Sequence, residues 1–556
     1  GVIGGDNDLT LNFTSTTALD GSFANLANLT SLGDVALNGT IGTNGFQNYA
    51  ANVSLAGDVN LTGTVGTFAS GVTGNNNSLS FNFTGGTTSL AGLFTNIATL
   101  TADSDVSVNG TVETNLDQYY NANVTLAGAS TFTGNAGFFS GAVEGGGNDL
   151  TFNFTQETTI DGSQTFANVA NLTSIGDVSL NGTIATSGDQ NYAANVTLAG
   201  TTTLAGNTGS FASGVAGENN SLTLNFSGGT TALSGDFANI QTLTALSNVS
   251  LNGGIQTNLD QNYAAGVSLA GDASLSGNAA TFATGVAGEN NSLTLNFTGG
   301  PTTLDGSFAN IATLTALSDV KIAANISTNV DQNYAANVTL TDNATLSGNA
   351  GSFSSGVAGG GKDLTLNFTA PTALEGSFAN LANLTSVGDV TVNGTIETTV
   401  DQTYQANVTL LGDTTLEGNA ASFATGVTGE NHAFTINFTG GTTALAGISN
   451  VSTFTADSDV SVTGNFTTNL DQVYNANVTL TGDTVLTGNT GTFATGLNGA
   501  TYDLTLNFSG LSTIDSGFVN IANLTSVGDV STNGTIQTGG NQTYEGNVTL
   551  AGDTLL

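Results

Sequence analysis

The sequence predicts an all-β protein built as a parallel β-solenoid, and three observations support this fold class. A unit of about 70 residues recurs eight times along the 556-residue chain. Within each unit, short runs such as SLTLNF at 221–226 alternate apolar and polar residues with the period of a β-strand. Glycine, asparagine and aspartate interrupt these runs as turn residues do, and no amphipathic helical pattern appears. Repeats that cannot bury their apolar faces alone are typical of solenoids.

The repeat boundaries follow a recurrent phrase, F-[AS]-[ST]-G-[VL], whose glycine opens the next unit. We expect the eight repeats to join into one continuous solenoid. The predicted boundaries are 1–70, 71–140, 141–213, 214–284, 285–355, 356–425, 426–495 and 496–556, the last repeat being the shortest.

Two aromatic positions recur once per repeat and are predicted to fill the core as ladders, because equivalent residues of successive coils lie about 4.8 Å apart. The Q-x-Y motif, as in QNYAANVTLAG at 190–200, supplies one set: Tyr49, Tyr120, Tyr192, Tyr263, Tyr334, Tyr404, Tyr474 and Tyr544. The N-F-[ST] motif supplies the other: Phe13, Phe83, Phe154, Phe226, Phe297, Phe368, Phe438 and Phe508.

A finer period predicts the number of coils. An apolar-polar-glycine signature begins at Leu19, Leu37, Leu61 and Leu90, in steps of 18, 24 and 29 residues. We therefore expect three coils per repeat and roughly 24 coils in all. The alternative is a string of small β-sandwiches, but about 100 residues is usual for an immunoglobulin-like sandwich, and no linker separates the repeats.

Composition excludes several functions. Two basic residues stand against 41 acidic ones, which gives a net charge of −39. Phosphate backbones and anionic lipid surfaces need lysine and arginine, so we expect no nucleic-acid binding and no attraction to such membranes. No apolar run of about 18 residues predicts membrane insertion. Since the chain opens on Gly1, we expect a mature product or a segment of a longer chain.

Catalytic chemistry is not expected either. An active site needs a few converging groups that occur once, whereas the acidic residues here recur with the repeat. His432, the single histidine, replaces the second asparagine of an N-N-S turn found in other repeats. We therefore predict that the protein is not an enzyme and uses no cofactor.

Turn aspartates are the candidate metal ligands. Asp34 and Asp58 each precede a signature leucine by three residues, which would place them about 5 Å apart on adjacent coils. Like charges at that distance repel unless they are solvated or bridged, and Ca²⁺ prefers oxygen ligands. Solvated turn aspartates are the alternative, which is favoured because several repeats break the pair. The calcium candidates are Asp34, Asp58, Asp389, Asp413, Asp459, Asp483, Asp529 and Asp553.

Asparagines of Asn-x-[Ser/Thr] sequences allow two interpretations. Each is a chemical acceptor for N-linked glycan. Alternatively, asparagines at coil turns stack their amides into hydrogen-bonded ladders, which is the interpretation we favour. The candidate glycosylation sites are Asn38, Asn109, Asn181, Asn195, Asn393 and Asn533.

The running pattern DQNYAANVTLAG, T-L-[ST]-G and L-T-[LV]-N resembles the repeats of giant bacterial β-helical surface proteins. These are the filamentous-haemagglutinin-like and autotransporter-like β-strand repeat adhesins. The resemblance covers nearly the whole chain. It implies an exported, right-handed β-helical stalk at the cell surface, and it carries over no catalytic residue. The near absence of lysine and arginine is a departure from that pattern.

These observations predict a structural extracellular protein: the shaft of a bacterial surface filament, fibre or giant adhesin, as in a biofilm matrix. Its expected partners are further copies, end to end or side by side, or the continuation of a longer chain. The alternative is an adhesin whose repeats bind host or neighbour-cell glycans or receptors. The longest signature step, 61–90, holds mostly Gly, Asn, Ser and Thr, which favours the scaffold.

Overall fold

A computed structural model describes residues 1–556, apart from the side chains of 162–164. The chain forms 65 β-strands, and each strand pairs in parallel with strands about one turn away in sequence. The predicted all-β parallel solenoid is therefore confirmed.

The chain divides into two compact units, Gly1–Ala280 and Thr281–Leu556, each built from short strands. Strands in the first unit are Val2–Leu11, Thr17–Asp20, Phe23–Ser31, Val35–Thr43, Phe46–Tyr49, Val53–Gly63, Val65–Phe68, Gly71–Phe83, Thr88–Ala91, Leu93–Ala102, Val106–Thr114, Gln118–Tyr120, Val124–Gly134, Gly137–Phe139, Val143–Phe154, Thr158–Ser174, Val178–Thr186, Gln190–Tyr192, Val196–Gly206, Gly209–Phe211, Gly214–Ala216, Leu222–Phe226, Thr231–Ser234, Asp236–Ile240, Leu243–Ala245, Val249–Thr257, Gln261–Tyr263 and Val267–Gly277.

The remaining strands begin with Ala280–Phe282 at the boundary. Those that follow are Gly285–Ala287, Leu293–Phe297, Thr302–Leu304, Ser307–Ile311, Leu314–Ala316, Val320–Ile322, Ile326–Thr328, Gln332–Tyr334, Val338–Leu340, Ala344–Gly348, Gly351–Phe353, Gly356–Ala358, Leu364–Phe368, Thr372–Leu381, Leu384–Ser386, Val390–Thr398, Asp401–Tyr404, Val408–Gly418, Ala420–Phe423, Val427–Thr428, Phe434–Phe438, Thr443–Leu445, Ile448–Val451, Phe454–Ala456, Val460–Thr468, Gln472–Tyr474, Val478–Gly488, Gly491–Phe493, Leu497–Asn498, Leu504–Phe508, Ser512–Ile514, Phe518–Ile521, Leu524–Ser526, Val530–Thr538, Gln542–Tyr544 and Val548–Leu555.

Most three-residue strands bury their first and third residues and turn the middle one outward, as Gln190–Tyr192 and Leu243–Ala245 do. Leu222–Phe226 shows the pattern: Leu222, Leu224 and Phe226 are buried, and Thr223 and Asn225 lie outside. Period-two alternation of this kind is what a one-sided strand requires. Stacking such strands coil on coil gives a narrow apolar core enclosed by a polar wall.

The sequence repeat is longer than three coils, so the prediction of three coils per repeat is wrong. One column of inward residues in the first unit starts at Thr17 and reaches Leu233 after eleven turns. Leu233 lies two residues from Thr231, which occupies in repeat 4 the place of Thr17 in repeat 1. Its members are Thr17, Val35, Val53, Val72, Phe94, Val112, Phe132, Phe152, Ser174, Tyr192, Phe211 and Leu233. Three repeats thus span eleven turns, and the chain makes about 29 turns rather than 24.

The signature misleads because it recurs along a coil as well as between coils. Leu37 stacks on Leu55, 18 residues later, whereas Leu61 stacks on Ile41. Between Leu37 and Ile41 the strand bends at Gly39, whose φ of +93° is readily adopted by glycine. One strand therefore carries two inward segments. The step of 24 residues from Leu37 to Leu61 is the sum of one turn of 18 residues, from Leu37 to Leu55, and six further residues along the same strand.

The predicted aromatic positions do fill the core, with two exceptions, one in the first coil and one in the last coil. Seven of the N-F-[ST] phenylalanines are at most 2% exposed, but Phe13 is 56% exposed because no coil in this chain precedes it. Tyr544, in the last coil, is half-buried, whereas the other seven Q-x-Y tyrosines are at most 1% exposed. Phe46, which is outside both series, is 45% exposed.

The tyrosines of the Q-x-Y series do not stack on one another, which corrects the predicted tyrosine ladder. Tyr192 stacks on Phe211, one turn later, with ring centroids 5.0 Å apart and planes inclined by 17°. The same pairing joins Tyr49 to Phe68 and Tyr474 to Phe493. Because a repeat covers three and two-thirds turns, the next tyrosine of the series lies on another side of the coil.

Candidate functional surfaces

The Q-x-Y motif forms a buried clasp between adjacent coils. The Gln190 Nε2 donates hydrogen bonds to the carbonyl oxygens of Ile184 (3.0 Å) and Ala205 (2.8 Å), which lie on successive coils. The Tyr192 hydroxyl donates to Gln190 Oε1 at 2.8 Å. Since every polar atom of the pair finds a partner, the buried network stabilises the coil junction.

The tyrosine-to-glutamine hydrogen bond recurs in all eight repeats, with distances between 2.8 and 3.0 Å. The glutamine bond to the following coil recurs in repeats 1 to 7. Burial raises the pKa of the seven enclosed tyrosines well above its ordinary value, because the charged phenolate would lose its hydration. The Q-x-Y stretch is therefore part of the wall's internal structure. The sequence alone predicted the buried tyrosines, but it did not show that the glutamine also faces inward and bonds to the tyrosine hydroxyl.

One buried hydroxyl recurs without a hydrogen-bond partner. Its positions, equivalent in six repeats, are Thr88, Thr158, Thr231, Thr302, Thr443 and Ser512. Elsewhere in the core hydroxyls are paired: Thr202 Oγ1 donates to the carbonyl oxygens of Leu180 (3.2 Å) and Gly200 (2.9 Å). A buried polar atom without a partner lowers stability.

The structure does not bring the predicted calcium ligands together in pairs. Asp34 lies beside Asn52, 18 residues later, and its Oδ1 accepts both the backbone N–H (3.1 Å) and the amide (3.2 Å) of that residue. Asp58 lies six residues farther round the coil and accepts the N–H of Ser78 at 2.8 Å. The pairing was wrong because it used the signature step of 24 instead of the coil step of 18.

The other candidates follow the same two patterns. Asp389, Asp459 and Asp529 each accept an asparagine 18 residues later, and Asp413 and Asp483 each accept a backbone N–H 20 residues later. Asp553 lies in the last strand, Val548–Leu555. Among the side chains that the structure describes, no three His, Asp or Glu residues lie close enough together to hold a metal ion.

Aspartate and asparagine alternate along one corner of the coil. Asp149 accepts from Asn171, Asn171 accepts the N–H of Asp189, and Asp189 accepts the amide of Asn207. The Thr208 hydroxyl, followed by the Asn207 amide, lowers the pKa of Asp189 by hydrogen bonding its carboxylate. Alternation keeps carboxylates of this corner two coils apart, about 10 Å, where repulsion is weaker than between direct neighbours.

The asparagine of each N-G motif is held by its neighbours. Asn38 Nδ2 donates to Asp20 Oδ1 at 2.7 Å, and its Oδ1 occupies the space in which a Cβ on Gly57 would stand, only 2.1 Å away. The glycine that ends the TLAG motif is therefore required by the asparagine one turn earlier. Asn109, Asn181, Asn393 and Asn533 press on Gly128, Gly200, Gly412 and Gly552 in the same way.

Repeat 5 provides a natural test of this contact. It carries Ala323 where six other repeats carry the asparagine, and there the opposing glycine is replaced by Asp342. Repeat 7 carries Thr463 instead, whose Oγ1 lies 2.3 Å from where a Cβ on Gly482 would stand, and it keeps the glycine. The glycine is thus lost where the facing side chain is reduced to a methyl group, and kept where a polar side chain still reaches it.

Asn195 lies outside rather than in the core. It is exposed, and both its N–H (3.0 Å) and its amide (3.3 Å) donate to Asp177 on the preceding coil. In repeat 4 Asn248 replaces this aspartate and Gly266 replaces the asparagine. The backbone N–H of Gly266 donates to Asn248 Oδ1 at 2.9 Å.

Glycosylation of Asn195 and of the N-G asparagines stays a prediction. The amides of Asn38 and Asn195 bond to aspartates of the preceding coil rather than to one another, so they do not form the predicted amide ladder. Amide-to-amide bonds occur at another corner, where Asn115 donates to Asn76 and Asn96.

The outward face of repeat 2 carries an aromatic pair that the sequence analysis did not identify as a candidate site. Tyr119 and Phe138 point outward on adjacent coils and stack with centroids 4.9 Å apart and planes inclined by 5°. The Tyr119 hydroxyl donates to Asp117 Oδ2 at 3.1 Å, which raises the pKa of Tyr119 through that bond. Comparison of the eight repeats position by position would have singled out this pair.

Comparison with protein-family models, with curated proteins and with solved structures gives no match for this chain. The described residues contain no helix that is long and apolar enough to span a membrane. The structure therefore defines this protein by its fold class, a parallel β-solenoid with an acidic, largely polar exterior.

Proposed function

We propose that this protein is the structural shaft of an extracellular filament, fibre or giant adhesin at a bacterial surface. The observation that carries the proposal is the Gln–Tyr clasp, which ties one coil to the following coil once in each of repeats 1 to 7. A clasp of this kind adds a buried side-chain network to the backbone ladder that joins the coils. The resemblance of the motifs to β-strand repeat adhesins agrees with this role.

The outward residues support a scaffold better than a receptor in each repeat. Columns of threonine, serine and asparagine cover the strands, as in the column Thr395, Thr415, Thr435 and Thr455. High negative charge keeps neighbouring molecules apart in solution. With two basic residues in 556, the chain also offers little to trypsin-like proteases.

Imaging tests this proposal directly. Electron microscopy of the purified chain should show unbranched fibres a few nanometres wide, and antibody to the chain should label intact cells that produce it. Compact beads, or label confined to the cytoplasm, would contradict it.

Mechanical pulling supplies a second test. Opening one turn of about 19 residues should release roughly 65 Å of extended chain, so extension should proceed in small steps of that size. The Gln190→Leu variant should lower the force needed in its region. Extension of the wild-type chain without resistance would contradict a load-bearing role.

A further inference from the structure

The outward pair Tyr119 and Phe138 is an aromatic stack on a wall whose other exposed large apolar residues, such as Leu116 and Ile175, are for the most part aliphatic. Both side chains are only partly buried, and they continue the column Thr101, Tyr119, Phe138, Thr159. Tyr119 has as counterparts Asn48, Asn191, Asn262, Asn333, Thr403, Val473 and Thr543. Phe138 has as counterparts Thr67, Ser210, Thr281, Ser352, Ser422 and Thr492. Because the other repeats form the same coils without aromatics here, the fold does not require this pair.

A third residue unique to this place lies beside the pair. Glu157 precedes Thr158 on the coil after Phe138, where other repeats have threonine, proline or leucine. The residues that follow, Gln118, Gly137 and Thr158, stack in register on successive coils, which places Asp117, Ala136 and Glu157 in one column. The small Ala136, only 8% exposed, therefore lies at the floor between two carboxylates about 10 Å apart. The result is a notch with acids at two ends and aromatic rings along one side.

Acidic groups also border the other side of the rings. Asp103 accepts the amide of Asn121 at 2.7 Å, and Asp161 accepts that of Asn181 at 3.2 Å. No lysine or arginine occurs anywhere in residues 1–280, so the sequence of this unit provides no basic side chain to neutralise these groups. The whole chain offers only Lys321 and Lys362, so a second copy is a poor source of cations as well.

We propose that the notch formed by Tyr119, Phe138, Asp117, Ala136 and Glu157 binds a cationic side chain, arginine or lysine, displayed by a different protein. Aromatic rings attract cations and pack against the apolar stem of such side chains. The two carboxylates complement the charge, and Ala136 leaves room for the head group between them. The partner class is a protein with an exposed basic segment.

Peptide binding tests the proposal. The probe is a fluorescent Gly-Ser peptide carrying two arginines, and the measurement is fluorescence anisotropy in 0.5 M salt, where the Debye length is about 4 Å and general attraction to the acidic chain is screened. The wild-type chain should bind this probe, and a peptide with citrulline in place of arginine should not bind.

Tyr119→Asn combined with Phe138→Ser is the decisive variant, because it installs the residues of repeat 3 and leaves the net charge unchanged. It should weaken binding of the arginine peptide roughly 3- to 30-fold at an unchanged melting temperature. Glu157→Thr should weaken binding while keeping the rings. Equal binding by the wild type and the double variant would overturn the proposal.

A gain-of-function variant keeps the test valid if the double variant folds poorly. Repeat 5 already has Asp331 and Ala350 in the places of Asp117 and Ala136. Asn333→Tyr, Ser352→Phe and Pro371→Glu together should therefore build a second notch and double the number of bound peptides. A neutral glucan hexamer that binds the wild type but not the double variant would instead assign the surface to carbohydrate and overturn the cationic partner. Concentration-dependent self-association abolished by the same variant would assign it to a second copy, with the same consequence.

Discussion

High pH should unfold this protein through its buried tyrosines. Between pH 9 and 13 almost nothing else ionises, because the chain has ten tyrosines, two Lys or Arg residues in total and no cysteine. Seven of these tyrosines are at most 1% exposed and donate their hydroxyl proton to a buried glutamine. A phenolate can neither donate that bond nor be hydrated there.

The magnitude follows from proton linkage. The folded state raises the tyrosine pKa above the ordinary value of about 10, so it holds protons that the unfolded chain releases, and stability falls as the pH rises above 10. Each buried tyrosine lowers the free energy of unfolding by about 1.4 kcal/mol per pH unit above that value. Gly1–Ala280 contains four of them, Tyr49, Tyr120, Tyr192 and Tyr263, which gives about 5.6 kcal/mol per pH unit. For a domain stability of about 5–15 kcal/mol, unfolding should occur between about pH 11 and 13.

Absorbance at 295 nm, which reports phenolate, and far-ultraviolet circular dichroism should be followed together during a rapid pH titration. Most of the absorbance change should appear only as the β-sheet signal is lost. Tyr192→Phe should flatten the pH dependence although it lowers stability at neutral pH by leaving Gln190 Oε1 without its donor. A smooth titration of all tyrosines near pH 10 with the sheet intact would refute the sealed clasp.

Three substitutions test individual contacts by urea denaturation. Thr231→Val should stabilise the chain by about 1 kcal/mol, because it removes a buried hydroxyl that has no partner. Gln190→Leu should destabilise it by about 3 kcal/mol, because two carbonyls and the tyrosine hydroxyl lose their partner. Gly200→Ala should destabilise it by about 2 kcal/mol, since the new Cβ would meet Asn181 Oδ1 at 2.1 Å, and Asn181→Ala in the same chain should restore most of the loss.

Each of these has its own control. Thr202→Val should destabilise, because that hydroxyl is hydrogen-bonded, and equal effects at Thr231 and Thr202 would mean that burial alone decides. Asn191→Ala, on the outward side between Gln190 and Tyr192, should change stability by less than about 0.5 kcal/mol. If the free-energy changes of Gly200→Ala and Asn181→Ala are additive in the double variant, the two residues are not coupled, and the contact between the new Cβ and Asn181 is relieved in another way.

Sequence reasoning recovered the fold class because period-two alternation and tandem repetition are local signals. It missed the coil length, because the bend at Gly39 lets one strand reproduce the signature that was meant to count coils. It predicted that Tyr192 and its counterparts are buried, but it wrongly predicted that they stack on one another. Each repeat spans two-thirds of a turn more than three full turns, and this excess is known only from the strand register.

The candidate surfaces were less accessible from sequence. Asp34 and Asn52 were both visible as recurrent residues, yet their contact depends on a coil step of 18 that the signature obscured. Covariation between repeats was the unused signal: Asn248 with Gly266, and Ala323 with Asp342, mark contacts across one turn. Tyr119 and Phe138 are adjacent only across coils, so their sequence separation concealed the pair.

The mismatch between repeat and turn also constrains how such a gene can grow. Within a unit, three repeats make eleven turns, so one repeat gained or lost by recombination rotates everything downstream by a third of a turn. The core tolerates this, because every repeat buries the same kinds of residue on each side. An exterior arrangement that spans distant repeats, however, survives only when repeats are added or removed in threes. A change in the number of repeats should therefore leave the core intact but disrupt any binding surface formed by distant repeats.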